Sequence, residues 1–201
     1  MMDEDLMDSP SECFIVSIPT PDNRAVPKSV MDLTTVATAL NRKLILNVQT
    51  ASGIANGRQK CLNAIRDLFP GEESAYTFWL DSDICITYPN QIADFVLEAE
   101  RSGLSFTANY HAIDNNTGKI WNTVKKSGEE SYTDDELKAA KPFELRCAYA
   151  GLGLCYVKAP LSYRFRTEGH VLEDHLFFKE NPGIDLRYVP IPNYHMKTVY
   201  I

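Results

Sequence analysis

One short run constrains this chain more than any other. Tyr76-Thr77-Phe78-Trp79-Leu80 leads without interruption into Asp81-Ser82-Asp83. The run has the length and aromatic content of a buried strand, and Gly71, Glu72, Glu73 and Ser74 mark where it begins. A strand buried on both faces belongs to the centre of a parallel sheet. In such sheets ligands bind beyond the carboxyl ends of the strands. Asp81 and Asp83 are therefore expected at the mouth of a site. Alternation along a strand turns both carboxylates the same way, with Ser82 between them. Two carboxylates held that close repel unless a cation neutralises them. Oxygen donors alone suit Mg²⁺ or Mn²⁺, ions that usually also hold substrate phosphates. The competing reading is a capped strand end, with one Asp serving as N-cap of a helix starting near Pro89.

The remaining chain weighs between the two. Its 201 residues suffice for one domain with a sizeable core. Lys and Arg number 20 against 27 Asp and Glu, a net charge of −7, which argues against nucleic acid or anionic membrane as a partner. No apolar run is long enough for a transmembrane segment, and the acidic start from Met1 to Glu12 lacks the layout of a signal peptide. The five cysteines, Cys13, Cys61, Cys85, Cys147 and Cys155, form no C-x-x-C pair. They read as small hydrophobes in a reducing, cytoplasmic compartment, with no zinc site. Asn115-Asn116-Thr117 fits the glycosylation pattern but reads as a polar turn.

Residues 1–11 read as a disordered lead-in. Strands are expected at Cys13–Thr20, stopping at Pro19, and at Leu44–Gln49. Helices are expected from Pro27 to Leu40 and from Ile54 to Phe69, the latter ended by Pro70-Gly71. With the Tyr76–Leu80 strand this makes a βαβαβ unit with right-handed crossovers. A helix at Pro89–Ser102 and a strand at Leu104–Tyr110 continue it. Beyond, Asp114–Gly118 reads as a turn, Ile120–Val124 as a returning strand, and Lys125–Lys141 as a mobile excursion with a short helix at Asp134–Ala140. Strands are expected at Phe143–Tyr149, Leu154–Val157 and Asp185–Val189, with a short helix or turn at Leu172–Lys179. The expected architecture is one α/β domain over 12–201: a nucleotide-binding half at 12–110 and a mixed-sheet rear half at 111–201.

Further residues fit a site at that mouth. Arg58, just after Gly57 near a helix start, offers a planar donor fork for a diphosphate, against the alternative of a solvated helix Arg. Gly151-Leu152-Gly153 lacks the third glycine of a dinucleotide fingerprint; its glycines allow backbone, or a bound sugar, to approach closely. Glu173-Asp174 precedes Leu176-Phe177-Phe178, where a carboxylate acts as general base or simply favours a helix N-terminus. His195, past the last strand, is placed to join Asp83 in coordination. His111 and His170 are further candidates of that kind.

In order and spacing these motifs resemble the metal-dependent glycosyltransferases of the GT-A fold: Ile18-Pro19-Thr20, Ala55-Asn56-Gly57-Arg58-Gln59, Leu80-Asp81-Ser82-Asp83, Ala150 to Tyr156, Leu172-Glu173-Asp174 and His195. The resemblance spans about Phe14 to Lys197. It departs at Gln59, where relatives often carry Asn. It implies a central, mostly parallel sheet flanked by helices, with a smaller mixed-sheet rear half. More narrowly, the chain is similar to N-terminal glycosyltransferase domains of large multidomain chlorella virus proteins. That likeness implies further domains of a longer chain, work in host cytoplasm, and a viral capsid glycoprotein as acceptor. The implied donor is a UDP-sugar, a hexose or deoxyhexose such as glucose or rhamnose, and the acceptor a glycan. Pro19 and Thr20 would line the uridine pocket, Arg58 would face the diphosphate, and Gly151 and Gly153 would approach the donor. Asp81 and Ser82 would approach the ribose. Asp81, Asp83 and His195 would hold Mn²⁺ or Mg²⁺. In inverting relatives the acid of the Glu-Asp motif takes the acceptor proton, which makes Asp174 the base with Glu173 as understudy. Residues 125–141 would form a lid.

Three rivals stand beside this reading. A sugar-nucleotide pyrophosphorylase or other nucleotidyltransferase would carry a Gly- and Lys-rich loop after the first strand, where this chain has Pro19-Thr20-Pro21-Asp22-Asn23-Arg24. A metal-dependent phosphohydrolase would carry more His and Asp at strand ends. A non-catalytic sugar-binding module would bind without releasing UDP.

Overall fold

The computed structural model describes residues 9–21, 27–108, 123–125 and 130–195. The expected turn at Asp114–Gly118, His111 and most of the expected lead-in lie outside those residues. The last part of the lead-in, Pro10–Glu12, forms a 3-10 turn.

The first half follows its periodicities closely. Strand β1 (Cys13–Thr20), helix α1 (Pro27–Ala39), strand β2 (Lys43–Thr50), helix α2 (Ile54–Leu68) and strand β3 (Ser74–Leu80) succeed one another. β1 is buried along its whole length, and its parity decides which helix each residue meets. Phe14, Val16 and Ile18 join a core cluster with Leu33 and Val36 of α1, and Phe78 of β3 belongs there too. Ile15 turns to the other face, with Cys61, Leu62 and Ile65 of α2 and Trp79 of β3. Each such large apolar side chain contributes roughly 1.5–3 kcal/mol on burial. All five cysteines are buried free thiols; burial pushes Cys61 and Cys147 up to about 12.

Strand β4 (Ile84–Ile86), helix α3 (Pro89–Ser102) and strand β5 (Ser105–Thr107) come next. α3 stops at Gly103, whose left-handed φ of 66° lets the chain turn back into β5. The rear half supplies β6 (Thr123–Lys125), α4 (Asp134–Ala139), β7 (Arg146–Ala150), β8 (Leu154–Pro160), α5 (Glu173–Glu180), β9 (Leu186–Tyr188) and β10 (Asn193–His195). α4 starts at a reciprocal cap: Glu136 N–H donates to Thr133 Oγ1 at 3.2 Å and Thr133 N–H to Glu136 Oε2 at 2.7 Å.

Among the described residues the main sheet is mixed and eight-stranded, in the order β2-β1-β3-β8-β5-β9-β7-β6. This corrects the expectation of a mostly parallel central sheet with a smaller mixed-sheet rear half. β2, β1 and β3 are parallel, as are β5 and β9. β8, however, lies antiparallel between β3 and β5. A rear-half strand thus fills the centre, and front and rear interleave. β4 and β10 form a second, two-stranded antiparallel sheet that the sequence pattern did not indicate. Among the described residues no helix is long and apolar enough to cross a membrane.

Candidate active site

The carboxyl ends of β1, β2 and β3 point the same way, and the candidate residues gather beyond them. Asp81-Ser82-Asp83 is not a strand continuation. Ile84 N–H donates to Asp81 O at 3.1 Å, closing a tight turn from β3 into β4. The two residues are therefore held in a turn, and strand alternation plays no part. Asp81 N–H donates to Gly153 O at 2.8 Å. The Gly151–Gly153 turn, with both glycines buried, brings backbone against backbone here. Asp81, Ser82 and Asp83 are each half-buried. From outside, Ser29 Oγ donates to Ile84 O at 2.9 Å and Lys28 Nζ to Ile86 O at 3.3 Å, pinning β4 to the start of α1.

α2 seats directly on the end of β1. A Cβ at Gly57 would lie 2.8 Å from Pro19 Cβ, closer than atoms tolerate, so only glycine permits this approach. The next residue, Arg58, is consequently driven over the strand ends. It is 3% exposed, which rules out the solvated helix Arg. Its guanidinium bonds Glu173 through Nη1 and reaches Asp81 Oδ1 from Nη2 at 3.5 Å. A chain separation of 115 residues is bridged by the Arg58–Glu173 pair. Beside it lies a pocket of about 230 Å³ lined by Pro19, Thr20, Pro21, Ala51, Gly53, Ile54 and Gly57. Pro19 and Thr20 are part of that wall, where a nucleobase pocket was expected.

α5 begins at Glu173, so both acids of the Glu-Asp motif lie in its first turn, where the helix dipole favours negative charge. Their environments differ. Glu173 is 3% exposed and committed to Arg58. This argues against its expected role as understudy base, because a buried, ion-paired carboxylate does not face an acceptor. Asp174 is half-buried and accepts His175 N–H at 2.7 Å. Burial raises its carboxyl above the ordinary value, Arg58 opposes the rise and Glu173 adds to it. The His175 ring stacks on Tyr149 of β7, centroids 4.2 Å apart, a neighbour that sequence reasoning missed.

His195 is brought close by its backbone: in β10 it pairs with Ile84, the residue after Asp83. Its side chain lies outside the described residues. His170 sits in an exposed turn bridged by Glu168 and Val171. Gln59, the departure from the resembled pattern, has a structural task. Its Oε1 accepts Phe165 N–H at 2.8 Å and its Nε2 donates to Asn63 at 2.8 Å.

The donor set suits a hard divalent cation. Asp81 and Asp83 would supply carboxylate oxygens from one turn, and Mg²⁺ commonly takes only one or two protein carboxylates plus substrate phosphates. Among the described residues no group of three or more His, Cys, Asp or Glu forms a ready-made metal cage.

No protein family and no curated protein matches the sequence. Among solved structures, the crystal structure of A197 from STIV matches with a TM-score of 0.59 at 14% identity, over 92% of this chain and 86% of that one. At that identity the likeness is one of fold, and what the two share is an α/β architecture with helices around a mixed sheet.

Proposed function

We propose that this chain is a GT-A-type glycosyltransferase that moves a hexose or deoxyhexose from a UDP-sugar to a glycan hydroxyl. The observation that carries the reading is the meeting of the Asp81–Asp83 turn, Arg58 and the Glu173-Asp174 helix start beside a pocket at the carboxyl ends of parallel strands. The pocket walled by Pro19 and Thr20 takes the uracil. Arg58 and the Asp turn lie where the diphosphate and ribose would follow. Asp83 with Asp81 would hold Mn²⁺ or Mg²⁺, which would neutralise charge on the leaving diphosphate. Asp174, with its raised carboxyl, is suited to accept a proton from the acceptor hydroxyl in an inverting transfer. That raised basicity favours an enzyme over a sugar-binding module. A viral capsid glycan as acceptor follows from the chlorella virus likeness alone.

The test is calorimetric titration with UDP and UDP-sugars, in Mn²⁺ and then in chelator. Wild type should bind UDP only with metal and release UDP from one donor. Asp83→Ala should abolish the metal-dependent UDP binding while changing stability by less than about 0.5 kcal/mol, as expected at a partly exposed site. UDP binding without turnover would return the sugar-binding module. No nucleotide binding at all would reduce the Asp turn to a strand cap.

A further inference from the structure

Resting on the glycosyltransferase reading, we propose that Glu173 is a positioning residue: its buried carboxylate fixes Arg58, so that one guanidinium joins the helix carrying Asp174 to the turn carrying Asp81 and Asp83. Successive helix residues point about 100° apart, so Glu173 and Asp174 diverge although adjacent. Glu173 turns inward to Arg58, with both side chains 4% exposed. Asp174 keeps partial access to solvent. A guanidinium is a rigid planar fork, and here its two prongs serve carboxylates from two different elements. A purely structural filling of this space would be served as well by apolar side chains. The ionic bridge instead spans the donor side and the base side of one site. Asp174 is faced by Arg58 from α2, by Glu173 and the His175 backbone of its own helix and by Cys155 of β8, while Tyr149 of β7 stacks on the His175 ring. Arg58 favours its ionisation and Glu173 opposes it.

The experiment measures UDP-sugar turnover against pH for wild type, Glu173→Gln, Glu173→Asp, Asp174→Asn and the paired apolar replacement Arg58→Met with Glu173→Met. The paired replacement should fold, since no buried charge is stranded, yet lose at least about tenfold in kcat through misplacement of the reacting groups. In Glu173→Gln the acid limb of the profile should move to lower pH with kcat reduced, and Glu173→Asp should recover part of the rate. Asp174→Asn should lose the limb itself. Full kcat in the paired replacement overturns the proposal. So does a limb lost in Glu173→Gln and kept in Asp174→Asn, which would make Glu173 the base. If wild type turns over no UDP-sugar, the transferase reading falls by itself. The bridge is then judged by unfolding of Arg58→Met, Glu173→Gln and their combination: non-additive effects uphold the clamp, and additive effects remove it.

Discussion

Two guanidinium–carboxylate bridges occupy opposite ends of the same sheet, and they are built differently. At the amino end Arg42, just before β2, forks onto both oxygens of Glu100 at 2.6 and 2.5 Å, and Tyr156 donates its hydroxyl to the same carboxylate. Burial, then the Glu100 charge, holds the Tyr156 phenol well above its ordinary value, so it stays a donor. One cation meets one anion in a bidentate pair, and the cluster fastens α3 to β2 and β8. At the carboxyl end the fork is split. Arg58 serves Glu173 with one nitrogen and Asp81 with another, with Asp83 and Asp174 two residues and one residue further along the chain. The first arrangement maximises each bond. The second spreads one cation over two acids, so neither acid gains a full bidentate pair.

The sharpest test of that contrast is to remove each cation. Arg58→Met would leave the buried Glu173 carboxyl without its partner and should lower unfolding free energy by about 3–5 kcal/mol. Arg42→Met removes a bidentate pair whose side chains stay 15% and 22% exposed, so water replaces part of what is lost. It should cost about 1–3 kcal/mol. Urea unfolding of the two variants measures both. Equal losses would mean that burial does not separate the two ends, and the contrast would collapse.

A smaller effect separates the ends by function. Gly57→Ala pushes a methyl against Pro19 and should cost about 1–3 kcal/mol through overpacking. Because Pro19 and Gly57 both wall the pocket, UDP affinity should fall as well. Tyr156→Phe deletes a hydroxyl from the amino-end cluster and should cost about 1 kcal/mol, with UDP affinity unchanged. Isothermal titration beside thermal melts reads both. A Tyr156→Phe protein with weakened UDP binding would show that the two ends are coupled through β8.

The two ends also differ in how far the sequence discloses them. β1, α1, β2, α2 and β3 lie within a residue or two of the expected bounds, because long elements buried on one or both faces carry a readable period. The Asp turn was visible as two acids after an apolar run, though its geometry was misread as strand alternation. β4 and β10 were not visible, since strands of three residues carry no period. Nor could the Arg58–Glu173 pair be read from spacing, as it joins residues 115 apart. What the sequence did carry was residue type in order: an Arg after a glycine, two acids at a helix start. The antiparallel entry of β8 defeated the expectation of a mostly parallel sheet. A strand buried on both faces reads as an apolar run whichever way it points.

The last expected effect carries the opposite sign and so discriminates most cleanly. Folding buries Asp174 and raises its carboxyl above the unfolded value, so the folded state favours the neutral acid. That contribution is present below the unfolded value of about 3.9 and is lost as pH rises through the raised folded value. At neutral pH an ionised Asp174 therefore weakens the fold. Asp174→Asn should remove the penalty and stabilise the protein by about 0.5–2 kcal/mol while abolishing transfer. The gain should vanish as pH falls below about 3.9, where the native acid is already protonated. At the other end Glu100 accepts three bonds, two from Arg42 and one from Tyr156, and Glu100→Gln should destabilise at neutral pH. Melting curves of both variants against pH test the pair of signs. Stabilisation at Asp174 with loss at Glu100 is the pattern of a site that trades fold stability for chemistry, facing an end that does not; destabilisation at both would make Asp174 another fastening.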